Sequence, residues 1–446
     1  RSLAKTIAEG VQYSIAQARE PGGRQPTDVL QVERIISDKA GADATLIHSG
    51  RSRQDMGATV RAVRLRRAVL DAADALLVTR ELLIATAERH TETFVPAYTN
   101  GVQAQPVSYG HYLMAFADSL ARDAQRLREL YPRVNISPLG TAVLANSSWP
   151  LNRQRLADLL GFDGLAVNSY DATQIISFDV PLEAAGIMSS IALRIGAMLQ
   201  DIHTQYHQSR PWLLLDDSQT YTSSAMPQKL NPGVVMTARA KATDVVASTQ
   251  MLLLRAHNIT PGMPDYKASF EPASTFVWSV EMLNQFNGVM KALRIDPKRS
   301  LEELNGDWTT SMELAETLQR LHQVPFRVGH HFATVVVNHA KAHNWLPGQF
   351  PYADAVKLYA ESAQKYGQPA AKFPIDEATF KATLSPETMV RTRVGVGGPQ
   401  PAEVQRMIKA AREALARDKQ WLAERNNKLL EAEARLNNAF ARYLGQ

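Results

Sequence analysis

Apolar residues recur at steps of three and four along most of this chain. The clearest run is Leu182, Ala185, Met188, Ile191, Ile195, Met198, Leu199 and Ile202, the spacing of one face of an α-helix. Positions between them carry Ala, Gly and Ser, so this helix is apolar round much of its girth and belongs inside a bundle. Comparable long runs read through 59–90, 106–130, 232–254 and 270–293, while strand-like alternation is scarce. The stretch 401–444 differs: Glu424, Arg425, Glu431 and Arg435 alternate with Leu422, Leu429 and Leu430, an amphipathic pattern expected to cover one end of a bundle. Breakers fall at 21–26, 136–140, 258–264, 344–351 and 394–401. There is no internal repeat and no low-complexity tract. The pattern predicts an all-α chain in three parts: a small N-terminal helical domain (1–50), a central long-helix bundle (51–304) and a C-terminal helical domain (305–446).

Composition narrows the function classes. At 446 residues and 45% hydrophobic the chain can bury a large core. Lys+Arg 49 against Asp+Glu 44 leaves a formal charge of +5. The charges are interspersed, unlike a nucleic-acid-binding arm, and part of the cationic excess suits a pocket for a polycarboxylate. The absence of cysteine excludes disulfides, thiolate nucleophiles and zinc–thiolate sites. No apolar run is expected to reach the length of a membrane span. The chain opens at Arg1, which suggests a trimmed N-terminus; the cytoplasm is the default compartment and the periplasm is compatible.

The most informative segment runs Thr222-Ser223-Ser224-Ala225-Met226-Pro227-Gln228-Lys229-Leu230-Asn231-Pro232. Asn231 is a good N-cap and Pro232 a good first helical residue, which predicts a helix starting there. A helix start offers free N–H groups and partial positive charge, and Lys229 adds a full one. Together they make an anion site beside two serine hydroxyls. An ordinary capped helix after a polar loop leaves the same local pattern.

This string resembles the signature of the fumarase/aspartase superfamily, and its Met-Pro-Gln-Lys stretch resembles argininosuccinate lyases. The resemblance continues in His48-Ser49-Gly50-Arg51-Ser52-Arg53-Gln54-Asp55 and in Tyr98-Thr99-Asn100-Gly101-Val102-Gln103-Ala104-Gln105-Pro106. Weaker echoes lie at Asn168–Thr173, Val324–Arg327 and Gly397–Pro399, all in the family's order. It implies a three-domain all-α fold with a long central bundle. It also implies a homotetramer whose active sites each gather the three motifs from three subunits. The reaction implied is β-elimination of an amine from a succinyl group to give fumarate, with no cofactor and no metal, on a small polycarboxylate or amino-acid substrate. On this sequence Ser223 matches the catalytic base, and Thr99 and Asn100 fall at the second motif's acid–base positions. Ser52, Arg53, Gln54, Gln103, Lys229 and Asn231 match substrate-holding positions, and Ser224 and Met226 match a loop that closes over substrate. Donors aimed at the developing carboxylate charge contribute most to catalysis of this kind.

Departures from the family pattern cluster in these working parts. Asn100 stands where the family has a histidine, and by position Met236 stands where it has that histidine's glutamate partner. Neither an amide nor a thioether can replace a titrating His–Glu pair. Thr222 replaces a glycine, and Gln174-Ile175-Ile176-Ser177 replaces Ser-Glu-Arg-Asp. The segment 261–271 lacks the family's Tyr-Asn-(Lys/Arg)-Asp-Leu-Gln, which holds the arginine end of argininosuccinate. A less polar amine than arginine fits these changes. Two alternatives stand beside a carbon–nitrogen lyase: a non-catalytic binding or structural homologue, and a lyase or cycloisomerase with a different carboxylate substrate.

Other residues have simpler readings. His339 and His343 are spaced to chelate a metal on a helix, but a surface pair fits better without a carboxylate motif. His330 and His331 pack or cap, and Val394–Gly398 reads as a turn between helices. His48 and His111 are expected to make structural hydrogen bonds rather than to replace the missing acid. Tyr266 and Lys267 either contact the amine part of a substrate or decorate a loop.

Overall fold

The computed structural model describes residues 2–23, 25–263, 273–368 and 372–445. Two packed helices open the chain, α1 (Ser2–Arg19) and α2 (Val29–Ala40). Helix α3 (Arg53–Arg89) is followed by a hairpin of β1 (Phe94–Thr99) and β2 (Val102–Ser108), then by α4 (Tyr109–Val134). A short segment of β3 (Ile136–Ser137), α5 (Arg153–Leu160), β4 (Gly164–Leu165) and α6 (Ser169–Gln174) leads into α7 (Ile176–Tyr206). Strands β5 (Leu213–Leu215), β6 (Tyr221–Thr222) and β7 (Leu230–Asn231) precede α8 (Gly233–Ala256). Helix α9 (Ala273–Ala292) and β8 (Leu293–Ile295) complete the bundle. Helices α10 (Pro297–Asn305), α11 (Ser311–His322), α12 (Phe326–Ala342), α13 (Tyr352–Lys365), α14 (Glu377–Thr383) and α15 (Pro386–Thr392) follow. The last helix is α16 (Pro401–Leu444).

The main core lies where α3, α4, α7, α8 and α9 meet. Seven of the eight periodic residues of α7, Ala185 through Ile202, are buried, and Leu182 is half-buried. A fully buried Met, Leu or Ile side chain stabilises by about 1.5–3 kcal/mol, so tertiary burial rather than helix propensity fixes this helix. By length and composition α7 could cross a membrane, contrary to the expectation that no run reaches that length. Half of its most apolar stretch is instead buried in the bundle. A second core gathers residues between Trp308 and Leu384, from α11 to α14.

Helix α16 runs antiparallel along α3 rather than across one end of the bundle. Arg412 pairs with Glu88, Lys419 with Glu81, and Arg67 with Asn426. Val404, Ile408, Leu415 and Leu422 enter the main core. Amphipathicity told which face is apolar; it did not tell which helix that face meets. Strands are few and short, each pairing in a two-stranded sheet. The Val394–Gly398 stretch is a turn between α15 and α16, with Gly397 at φ +81° and its N–H donating to Glu403.

Candidate active site

The serine-rich segment forms a hairpin ahead of α8. Tyr221 pairs with Asn231 and Thr222 with Leu230, closing the loop between them. Inside it, Ser223 N donates to Lys229 O at 3.2 Å and Lys229 N to Met226 O at 3.0 Å. Ser223 Oγ accepts two backbone donors, Ala225 N at 3.3 Å and Met226 N at 3.2 Å. Such donors favour negative charge on the oxygen. Ser224, Met226 and Lys229 are exposed. Tyr206 at the end of α7 donates to Leu230 O at 2.9 Å and fixes the base of the hairpin.

The helix start differs slightly from expectation. Asn231 lies in β7 and its Nδ2 donates to Tyr221 O at 3.2 Å, so it braces the hairpin and does not cap. Pro232 is the boundary residue; its ψ of 68° is not helical, and α8 begins at Gly233. Met236 is in the first turn of α8 and 47% exposed. One turn on, Arg239 donates to His203 Nδ1 at 2.6 Å. Burial, and then the Arg239 charge, lower the His203 pKa.

The segment at 48–55 starts α3. Ser52 is its N-cap and forms a capping box with Asp55. The Asp55 carboxylate accepts from Ser52 N at 2.7 Å, Met56 N at 3.0 Å and Gly140 N at 2.7 Å. Burial outweighs these donors and raises the Asp55 pKa. Gly50 sits at φ +67°, where an added Cβ would lie 2.9 Å from both Leu151 and Trp149. His48 Nδ1 meets Glu33 at 2.8 Å. Arg53 is exposed and Gln54 half-buried, both with partners.

The third segment is the β1–β2 hairpin. Asn100 (φ 52°) and Gly101 (φ 77°) form its tip, the two left-handed residues of a type I′ turn. Thr99 and Asn100 are exposed. Next to them Tyr98 donates to Glu303 at 2.7 Å. Burial, reinforced by that carboxylate, pushes the Tyr98 pKa up. Gln103 faces Tyr98 across the hairpin, and its Nε2 is sealed from solvent without a hydrogen-bond partner among the described residues. His111 meets Gly397 O at 2.9 Å, a structural bond. His330 and His331 pack on Phe326 and Tyr366, and the His339 and His343 rings lie 4.4 Å apart. Tyr266, Lys267 and most of 261–271 lie outside the described residues.

The three segments do not share one place in a single chain. Helix α3 has 37 residues, about 55 Å at 1.5 Å per residue. Ser52 caps its start, and the Thr99 hairpin follows its end. The serine hairpin joins the Thr99 end: Tyr206 closes α7 there, and Trp212 meets Tyr109, the first residue after β2, edge-on at 6.0 Å. Sequence reasoning missed Glu33, Glu303 and Gly140, whose contacts come from distant parts of the chain. It also missed the Asn-Gly turn, which the dipeptide itself signals.

The description "Lyase" fits the family model that matches residues 13–247. The argininosuccinate lyase of Methanocaldococcus jannaschii is 30% identical over 436 residues, covering 96% of this chain and 86% of that protein. A crystal structure of EDDS lyase in complex with formate superposes with a TM-score of 0.89 at 28% identity, covering 100% of this chain and 88% of that one. An EDDS lyase variant with bound fumarate gives 0.90 at 28% identity, with the same coverage. The chain belongs to the lyase family of the fumarase/aspartase superfamily, and its sequence relatives there include argininosuccinate lyases.

Proposed function

We propose that this lyase eliminates an amine from an N-substituted aspartate to give fumarate, or runs in reverse as an amine addition. The observation that carries this reading is the Ser223 oxygen held by two backbone N–H groups inside the hairpin. A serine removes a weakly acidic proton only if its alkoxide is stabilised, and this loop supplies donors with Lys229 on the same hairpin. The Cβ–H proton passes to Ser223 Oγ, and its electron pair forms the Cα=Cβ bond. The Cα–N bond breaks with its pair going to nitrogen. Lys229, Asn231, Thr99, Ser52, Arg53, Gln54 and Gln103 hold the succinyl carboxylates and backbone, and Ser224 and Met226 close over them.

The altered acid positions fit this balance. A secondary alkylammonium, with a pKa near that of lysine at about 10.4, already carries the proton with which it departs as a neutral amine. It needs no separate imidazole, so Asn100 and Met236 are compatible with turnover.

A homotetramer completes the site. Met236, Ala240, Thr243, Ala247, Met251 and Leu254 recur at helical spacing on α8, and all are exposed, Leu254 at 75%. Copies packed through such a face, with opposed ends, would bring the start of α3 to the two hairpins of neighbours. Incubation with fumarate and a panel of amines, followed by enoate absorbance, tests the reading; Ser223→Ala should remove turnover. Fumarate left unconsumed by every amine would refute it. Binding of a dicarboxylate without turnover would favour the second reading, a non-catalytic homologue, for which Asn100 in a turn and the exposed Met236 thioether speak.

A further inference from the structure

A cavity of about 100 Å³ opens between the start of α3, the end of α4 and the starts of α7 and α9. Its walls are Ala58, Ala62 and Leu65 from α3, Ile176 and Val180 from α7, and Phe276 from α9. Ala58 is five residues beyond Arg53, about 7.5 Å along the helix. Pro138, also in the wall, is two residues from the Gly140 N–H that Asp55 holds. The cavity therefore lies at the Ser52 end of α3. Among the described residues its polar lining is Arg61, Arg64, Arg133 and Ser177, and Arg133 is held by Glu183. No carboxylate lines it among the described residues.

We propose that this cavity receives the nitrogen substituent of the substrate and selects a short aliphatic amine. The inference rests on the lyase reading above and names its substrate class. Four observations carry it. The interior is apolar, so a guanidinium or terminal ammonium placed there would be buried unpaired. The cavity lies about 7.5 Å along α3 from Arg53, which the lyase reading assigns to a carboxylate of the aspartate half. Ile176, in the stretch where the family has a charged pair, is the residue that makes one wall. The volume is below the roughly 150 Å³ that holds a benzene ring, which points to a group of about three to five carbons.

The test is a rate series for amine addition to fumarate, from methylamine through butylamine, with arginine and ethylenediamine alongside. Each buried methylene contributes about 0.8 kcal/mol, a factor of about four. Butylamine should therefore exceed methylamine in kcat/KM by roughly fifty-fold, and both polar amines should fall below butylamine. Ala62→Leu fills the space, and the butylamine-to-methylamine ratio should collapse to within about threefold. Ile176→Ala enlarges it and should shift the optimum to longer amines. A flat series on the native protein overturns the inference, as does a ratio that Ala62→Leu leaves intact; the native series decides alone if that variant melts early. If no amine consumes fumarate, the lyase reading fails separately. Calorimetric binding of N-butylaspartate against N-methylaspartate then decides the pocket: tighter binding of the butyl compound, lost in Ala62→Leu, supports it, and equal affinities overturn it.

Discussion

Asp55→Asn isolates what holds the start of α3 in place. The native carboxylate is 0% exposed and accepts N–H groups that include those of Ser52, Met56 and Gly140. Asparagine has the same shape but one acceptor oxygen. Whichever way it turns, its NH2 faces at least one of these donors. Losing a charge-assisted bond costs about 1.5–3 kcal/mol, and the stranded donor adds about 1–3. Relief of the buried anion, whose cost the raised Asp55 pKa reflects, offsets part of this. The net expectation is a loss of about 2–4 kcal/mol. With an unfolding entropy of about 2.1 cal/mol/K per residue, a chain of 446 residues unfolding as one unit would melt about 2–4 °C lower. The Asp55 pKa is raised above 3.8, so its contribution is greatest below that value and is lost as pH rises through the raised value. Because Ser52 and Arg53 ride on this turn, KM for fumarate should also rise, by about tenfold for 1.4 kcal/mol of lost positioning. Calorimetry and fumarate saturation curves are the assays. A variant that melts with the native protein and keeps its KM refutes the argument that the buried carboxylate organises this segment.

Three further outcomes are expected. Asp418→Ala removes the carboxylate paired at 2.5 Å with Arg80, which is 1% exposed, and urea unfolding should show a loss of about 3–5 kcal/mol. Glu403, whose pKa Arg406 and the Gly397 N–H depress to about 2, contributes stability that is present above its ordinary value of 4.5 and lost as pH falls through about 2. Glu403→Gln should flatten that part of a urea-midpoint-against-pH curve. Asn100→Ala places an ordinary side chain at φ 52°, and the hairpin should weaken by about 1–2 kcal/mol, read by hydrogen exchange at Val102 and Gln103.

Much of the bundle was legible because a long buried helix imposes its period on the sequence. The α7 run names its own buried face, and the runs at 59–90 and 232–254 fall on α3 and α8. The two-residue strands were not legible, since tertiary contacts and not local alternation create them. The position of α16 was hidden for a related reason: its apolar stripe fits any complementary face, and long-range pairs such as Arg80–Asp418 select α3. At the candidate site, residue types were readable and their partners were not. Tyr98 and Glu303 are 205 positions apart, and Asp55 and Gly140 are 85. Reading Asn100 only as a lost acid obscured its second meaning, a left-handed residue before glycine that sets a tight turn.

These placements separate what the fold must conserve from what its chemistry can change. Each site segment hangs at one end of a rigid helix and is pinned by a hydrogen bond from elsewhere: Asp55 to Gly140, Tyr98 to Glu303, Tyr206 to Leu230. None of those pins involves the exposed residues at Asn100, Ser224, Met226 or Met236. A side chain there can change without disturbing the packed core, where even one methylene is felt. On the proposed reading Asn100, Met236 and Ile176 are the departures from the family pattern, while the bundle keeps a 0.89 TM-score likeness to an EDDS lyase at only 28% identity. If the proposed function holds, selection on the leaving group acts on hairpin tips and cavity walls, with the helices serving as fixed spacers that deliver them to the same points.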